Sequence, residues 1–382
     1  MDPVTFQLPT KVMYGPGSIK QLGEQASGLG IHRALLVTDK GIVNSRLLDQ
    51  ILPFVGANVT TVLFDAVEAN PSLETVQAAL DLCRGDKCDG VFAVGGGSPL
   101  DVGKAVAVLA TNPGNLRDYL GIGKIKQDGL PIITIPTTAG TAAEITDVSV
   151  LSDHQVRSKV TIRSPQVAPK LALMDPALTL GLPPSVTRDT GMDALTHAVE
   201  SFINVNAWPA SEALALKAIE MIGANLRTAV HNGANLAARD AMLSASLIAG
   251  FAFHNTRLAL VHAITTPLQG VFELPHGACN AIVLPNALEF MLPGAVGKYV
   301  QIAQALGEPV EGLAPRAAAE RAVAAIRQLM QDIGMPAGLA TYNVTPDPFP
   351  AIAEKAAASF MIALSPRRAT AADIVAILKQ SL

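Results

Sequence analysis

Four short apolar runs, separated by stretches of helical period, most narrowly limit what this chain can fold into. Residues 34–38 (ALLVT), 59–64 (VTTVLF), 90–94 (GVFAV) and 131–135 (PIITI) are rich in β-branched side chains, and their hydrophobicity is continuous rather than alternating. Such runs suit strands buried on both faces, as in a parallel sheet. Between them, residues 73–83 and 99–110 space their apolar positions as a helix does. This βαβα rhythm predicts a mostly parallel sheet covered by helices. After about residue 175 the texture changes. Asp175-Pro176 and Pro183-Pro184 punctuate the chain, and the remainder is rich in Ala and Leu, with helical stretches at 207–230, 237–253, 317–333 and 350–360. The 382 residues exceed one ordinary core. The expectation is an α/β domain over residues 1–180 and an all-helical domain over 181–382.

Composition narrows the function. Hydrophobic residues make up 49% and charged residues 16%, which suits a compact enzyme. A formal charge of −4 with scattered Lys and Arg predicts neither nucleic acid nor an anionic membrane as partner. Residues 1–14 lack an apolar signal core, and no uninterrupted apolar stretch approaches the roughly 20 residues that span a bilayer. Cys83, Cys88 and Cys279 show no disulfide framework spacing, so a reducing, cytoplasmic setting is expected.

Gly95-Gly96-Gly97-Ser98 lies between an expected strand and an expected helix. That context lets backbone N–H groups face a pyrophosphate, although a glycine cluster there is equally read as a tight turn. It is not G-x-G-x-x-G, because Pro99 and Leu100 follow Ser98. Nor is it a Walker loop, because Gly97 and Gly103-Lys104 are one residue too far apart and Ala105 replaces Ser or Thr. Asp39, ending the first run, can hydrogen-bond a ribose and repel a 2′-phosphate, favouring NAD over NADP; alternatively it caps the next helix. The hydroxyls of residues 136–141 (PTTAGT) are further candidates to line a nucleotide site.

Asp193 and His197 stand four apart in the helix-period segment GMDALTHAVESF, so both project from one face. His262 opens LVHAITTPL, and His276 sits in LPHG, on an expected turn. One carboxylate and three imidazoles suit Fe²⁺ or Zn²⁺ with positions left open for a substrate oxygen. Each histidine alone is also readable as a hydrogen-bonded core or surface residue.

The ordered motifs VTDK (37–40), ANPSLETV (69–76), VGGGSPLDVGKA (94–105), IPTTAGTAAEIT (135–146), TGMDALTHAVESF (190–202), LVHAITTPL (260–268) and LPHGACNAIVLP (274–285) resemble those of the iron-containing (group III) alcohol dehydrogenases. The lactaldehyde reductase/1,2-propanediol oxidoreductase branch is the most similar. The resemblance implies the family fold, a Rossmann-like dinucleotide-binding domain followed by a helical one, as in dehydroquinate synthase-like proteins. It implies Asp193, His197, His262 and His276 as metal ligands, Fe²⁺ being expected and Zn²⁺ acceptable. Asp39, Asn70, Gly96, Gly97, Ser98, Thr137, Thr138, Thr141 and Lys159 match the dinucleotide contacts, and Val150 and Phe253 match positions near the nicotinamide or substrate. It further implies hydride transfer between NAD(H) and a small alcohol or aldehyde, and a homodimer, with the strand-like N-terminus a candidate to pair across a two-fold axis.

The chain departs from the family pattern at Thr266, where many members carry a histidine proposed to assist proton transfer. A hydroxyl can pass a proton but cannot hold charge near neutral pH as imidazole does. Arg257 stands where close relatives have a small residue; it is read either as a helix-end cation or as a contact for an anionic substrate group. Three alternatives compete: a metal-free reductase of the maleylacetate reductase type, a zinc enzyme of the glycerol dehydrogenase or dehydroquinate synthase kind, and a nucleotide-binding protein without catalysis.

Overall fold

The computed structural model describes residues 5–156 and 158–382. Its strands are β1 (Lys11–Tyr14), β2 (Arg33–Val37), β3 (Thr60–Phe64), β4 (Gly90–Gly95), β5 (Gly121–Ile122), β6 (Ile132–Pro136), β7 (Val148–Asp153), β8 (Ser158–Arg163) and β9 (Leu171–Met174). Six of them form one parallel sheet in the order β1-β9-β6-β4-β2-β3. Helices α1 (Leu22–Gly28), α2 (Lys40–Asn44), α3 (Leu48–Ile51), α4 (Leu73–Gly85) and α5 (Gly97–Thr111) complete this part of the chain.

The continuous apolar runs have the cause expected of them, since successive side chains enter opposite cores. Leu35, Val37, Val91 and Ala93 pack with Val76, Leu80, Val102 and Val106 of α4 and α5. Ala34, Leu36, Phe92 and Val94 pack on the other face with Leu22, Ala26 and Ile51. The run at 59–64 differs. As β3 it is an edge strand with Leu63 48% exposed, because only β2 pairs with it. The strand-like N-terminal segment is also an edge, with β1 paired to β9 within the chain. A second sheet, β5-β8-β7, has no counterpart among the apolar runs; one face of its antiparallel pair β7–β8 is largely polar, with Ser152, Lys159, Thr161 and Arg163.

The helical part comprises α6 (Pro184–Ile203), α7 (Pro209–His231), α8 (Leu236–Thr256), α9 (Leu260–Phe272), α10 (His276–Met291), α11 (Val296–Ala305), α12 (Pro315–Asp332), α13 (Phe349–Ala357) and α14 (Ala371–Gln380). Contacts divide the chain into two compact units. One is Leu8–Thr138 with Ala142–Leu182; the other is Pro183–Leu382 with Ala139–Thr141 and the first residues up to Gln7. Within the helical unit α6 is central, buried from Gly191 to Ile203 and packed by α7, α8 and α10. Helix α8 is long and apolar enough by composition to cross a bilayer, yet it carries Arg239 and Asp240 and packs on α6 and α7.

Candidate metal centre and nucleotide site

Asp193 and His197 are on successive turns of α6, 1% and 3% exposed. Two further side chains reach them. His262 lies in the first turn of α9, inside a helix rather than on a loop, and His276 is the first residue of α10. Gly277 allows that approach: a Cβ there would lie 2.1 Å from the Asp189 carbonyl oxygen, so only glycine lets the start of α10 rest on α6. Donor atoms from all four side chains lie within 4.8 Å of one another. Asp193 Oδ1 is 3.6 Å from His197 Nε2, 3.6 Å from His276 Nε2 and 4.0 Å from His262 Nε2.

The other ring nitrogens are engaged from behind. His197 Nδ1 meets the Gly140 carbonyl at 3.2 Å, His262 Nδ1 meets Glu200 Oε2 at 2.5 Å, and His276 Nδ1 meets Gln269 Oε1 at 3.0 Å. Donation from each Nδ1 leaves an Nε2 lone pair pointing inward, the arrangement by which outer partners orient metal-binding histidines. Two of the inward lone pairs, those of His262 and His276, share a weak substitute partner with Asp193. Asn280 Nδ2 donates to Asp193 Oδ1 at 2.8 Å and stands 3.0 Å and 3.2 Å from Nε2 of His262 and His276. Its own Oδ1 accepts from Thr265 Oγ1 at 2.5 Å. Electron pairs converging on one neutral amide in a buried site fit a divalent cation well.

Electrostatics agree with that fit. Burial drives the His197 pKa down to about 4, so its imidazole is neutral near pH 7. Burial also opposes charge on His262 and Asp193. For His262 the carboxylates of Glu200 and Asp193 outweigh it and raise the pKa. For Asp193 the three imidazoles and Asn280 outweigh it and lower the pKa. Phe253 lies over His197, ring centroids 4.5 Å apart. Thr266 donates its hydroxyl to the His262 carbonyl at 2.7 Å. Arg257 comes directly after the last turn of α8 with a left-handed φ of 69°, and its carbonyl accepts from Asn204 Nδ2. A half-buried arginine at a helix C-terminus suits the helix-end reading.

The α/β unit gathers most of the expected nucleotide residues at the C-terminal ends of its strands. Gly96 precedes α5 with no side-chain cap, leaving the helix N-terminus open above Gly97 and Ser98. A Cβ on Gly95 would meet Pro99 at 2.7 Å, and one on Gly96 would stand 3.3 Å from Thr138, so side chains would fill the cradle. Thr137 donates its amide to Gly95, while its buried hydroxyl lacks a hydrogen-bond partner among the described residues. Asp39 Oδ1 caps α2 at the Ile42 amide, as the cap reading expects, and Oδ2 lies beside the Gly95 turn. Asn70 and Lys159 are brought together, Nζ to Oδ1 at 2.7 Å. Val150, 36% exposed on β7, is fixed through its amide by Asp101. Thr141 belongs with the helical unit, beside Gly140. An uncapped helix start, glycine-lined, with an idle hydroxyl nearby, fits a dinucleotide phosphate.

Sequence reading missed Glu200, Gln269 and Asn280. Signals existed: Glu200 lies seven after Asp193 and three after His197, and Asn280 four after His276, all on shared helix faces.

These parts define an oxidoreductase built from an α/β unit and a helical, metal-binding-type unit. Comparison with known proteins gives the class its name. The model of the iron-containing alcohol dehydrogenases matches residues 9–176, and that of the family's C-terminal domain matches residues 187–382. The 1,3-propanediol dehydrogenase of Klebsiella pneumoniae is 40% identical over 379 residues, 98% of each chain. Lactaldehyde reductase of Escherichia coli (strain K12) is 35% identical over 365 residues, 95% of each. The crystal structure of a 1,3-propanediol oxidoreductase superposes with a TM-score of 0.97 at 40% identity, covering 100% of both chains. Sulfoacetaldehyde reductase from Bifidobacterium kashiwanohense, solved in complex with NAD⁺, gives 0.89 at 29% identity, covering 100% of this chain and 99% of that one. The chain belongs to the iron-containing alcohol dehydrogenase family, and it is an alcohol-oxidising, aldehyde-reducing enzyme.

Proposed function

We propose that this enzyme uses NAD(H) and one Fe²⁺ ion, held by Asp193, His197, His262 and His276, to interconvert a short alcohol or diol and its aldehyde, as a cytoplasmic homodimer. The observation that carries this reading is the convergence of four donor atoms, three on rings whose second nitrogen is already engaged. Zn²⁺ suits the same ligands. When bound, a divalent ion there would supply Lewis-acid chemistry toward an alcohol or aldehyde oxygen, and a nicotinamide would supply hydride chemistry.

The protein's residues bind, orient and exclude water. Gly96, Gly97 and Ser98 would offer backbone amides to a pyrophosphate, and Thr137 and Thr138 would add hydroxyls; Thr141 is carried as a cofactor residue by the family resemblance alone. Asp39 Oδ2 would be available to a ribose, which would favour NAD, and Asn70, Lys159 and Val150 would be the further nucleotide contacts. Phe253 shields the face of His197. Thr266 passes a proton only after rotating away from the His262 carbonyl, alongside ribose hydroxyls or water. Arg257, at the end of α8, is assigned the helix-end role rather than a substrate contact. An NAD⁺ complex of a relative, and relatives named for propanediol and lactaldehyde, support the cofactor and the substrate size.

Protein reconstituted with Fe²⁺ or Zn²⁺ should reduce short aldehydes with NADH. His276→Ala should lose both bound metal and turnover. Full turnover by metal-stripped wild-type protein would favour the metal-free reductase reading instead.

A further inference from the structure

Asp193, His197 and Glu200 occupy one stripe of α6, at positions i, i+4 and i+7. Two of these side chains face the donor cluster. Glu200 turns instead to α9 and is fully buried. Its Oε1 accepts from the Val261 amide at 2.6 Å, and its Oε2 from His262 Nδ1 at 2.5 Å. The partners behind the other two rings are a backbone carbonyl and a side-chain amide, both neutral. Only His262 is backed by a full negative charge.

We infer that Glu200 is a positioning residue of the metal centre, fixing His262 as the Nδ1–H tautomer and supplying the second negative charge that balances a divalent cation. The inference rests on the metal centre proposed above. Asp193 alone would leave a divalent ion with a net positive charge in a buried site, where an uncompensated charge is costly. A carboxylate at Glu200 would bring the formal charge of such a site to zero. Carboxylate backing also strengthens the imidazole as a donor, and loss of such partners typically costs about 10- to 100-fold in metal affinity.

The competing role is purely structural: through the Val261 amide Glu200 also caps the first turn of α9. Zn²⁺ binding to the full-length chain, measured by competition with a chromophoric chelator, separates the two roles. Glu200→Gln should bind Zn²⁺ about 10- to 100-fold more weakly than wild type. A cap alone would lower the melting temperature of the metal-free protein and leave Zn²⁺ affinity within about threefold, overturning the inference. If the variant fails to fold, imidazole ¹⁵N NMR of metal-free wild-type protein at alkaline pH, where the ring holds a single proton, decides. A proton on His262 Nδ1 supports the inference, and one on Nε2 overturns it. Wild type binding no Zn²⁺ would sink the metal centre itself, and this inference with it; tight wild-type binding with an unaffected Gln variant sinks the Glu200 role alone.

Discussion

Replacing Glu144 by Gln should stabilise the protein at alkaline pH and leave it nearly unchanged in acid. Glu144 lies in the single turn Ala143–Ile145, 2% exposed, and its Oε1 has no hydrogen-bond partner among the described residues. Burial raises its pKa from the ordinary 4.5 to about 7, against weaker opposing effects of a backbone hydrogen bond and the Lys104 charge. That displacement corresponds to about 3 kcal/mol. Between pH 4.5 and about 7 the folded chain keeps a proton that the unfolded chain has released. Stability contributed by the carboxyl is therefore fully present below pH 4.5, declines as pH rises, and is gone above about pH 7. Gln does not titrate, so the advantage of E144Q over wild type should widen by up to about 3 kcal/mol from acid to alkaline pH. The assay has to observe the right unit. The single tryptophan, Trp208, belongs to the helical unit, so probes within the α/β unit report on Glu144 more directly. Hydrogen exchange of α5 and β6 reports on the α/β unit, and circular dichroism melts on the whole chain. A gap that stays constant with pH, or one that favours wild type as pH rises, refutes the reasoning.

Three further outcomes are expected. Asp39→Ala removes the α2 cap, costing about 1 kcal/mol, and should lower KM for NADP relative to NAD in steady-state assays; an unchanged ratio removes Asp39 from cofactor choice. Thr266→Ala should slow turnover about a hundredfold if the hydroxyl belongs to the proton path. Unchanged rates between about pH 6 and about pH 9 would take it out of the relay. Gly277→Ala pushes a methyl into the Asp189 carbonyl and should cost about 1–3 kcal/mol while weakening metal retention through displaced His276. Wild-type melting and metal content would show that α10 gives way elsewhere.

Much of the fold was legible because burial writes itself into sequence. Strands β2, β4 and β6 are covered on both faces, so nearly every residue had to be apolar, and the runs stood out. Strand β3 shared the same composition yet lies at an edge, since hydrophobicity along a run does not record how many neighbours it pairs with. The β7–β8 pair was invisible for the opposite reason. Leu151 and Ile162 do enter the core, but Ser149, Ser152 and Lys159 beside them are held by side-chain hydrogen bonds to the Asp101 carbonyl, to Asn70 and to each other, and periodicity cannot register such contacts.

The donor quartet was legible as residue types, but its backing was not. Asp193 and His197 announce themselves by spacing within one helix, whereas His262 and His276 meet them only because α9 and α10 fold back on α6. Gln269 and Asn280 are ordinary amides whose importance lies wholly in what they touch. Glu200 is different in kind. A carboxylate inside a helix segment that is otherwise largely apolar demands a compensating partner, and that demand is readable in the amino-acid sequence alone. Its partner turned out to be His262, so the most informative residue in the segment was the charged one left without a role. For buried sites of this kind, an ionisable residue that the proposed ligand set does not use is the place to look for the group that orients it.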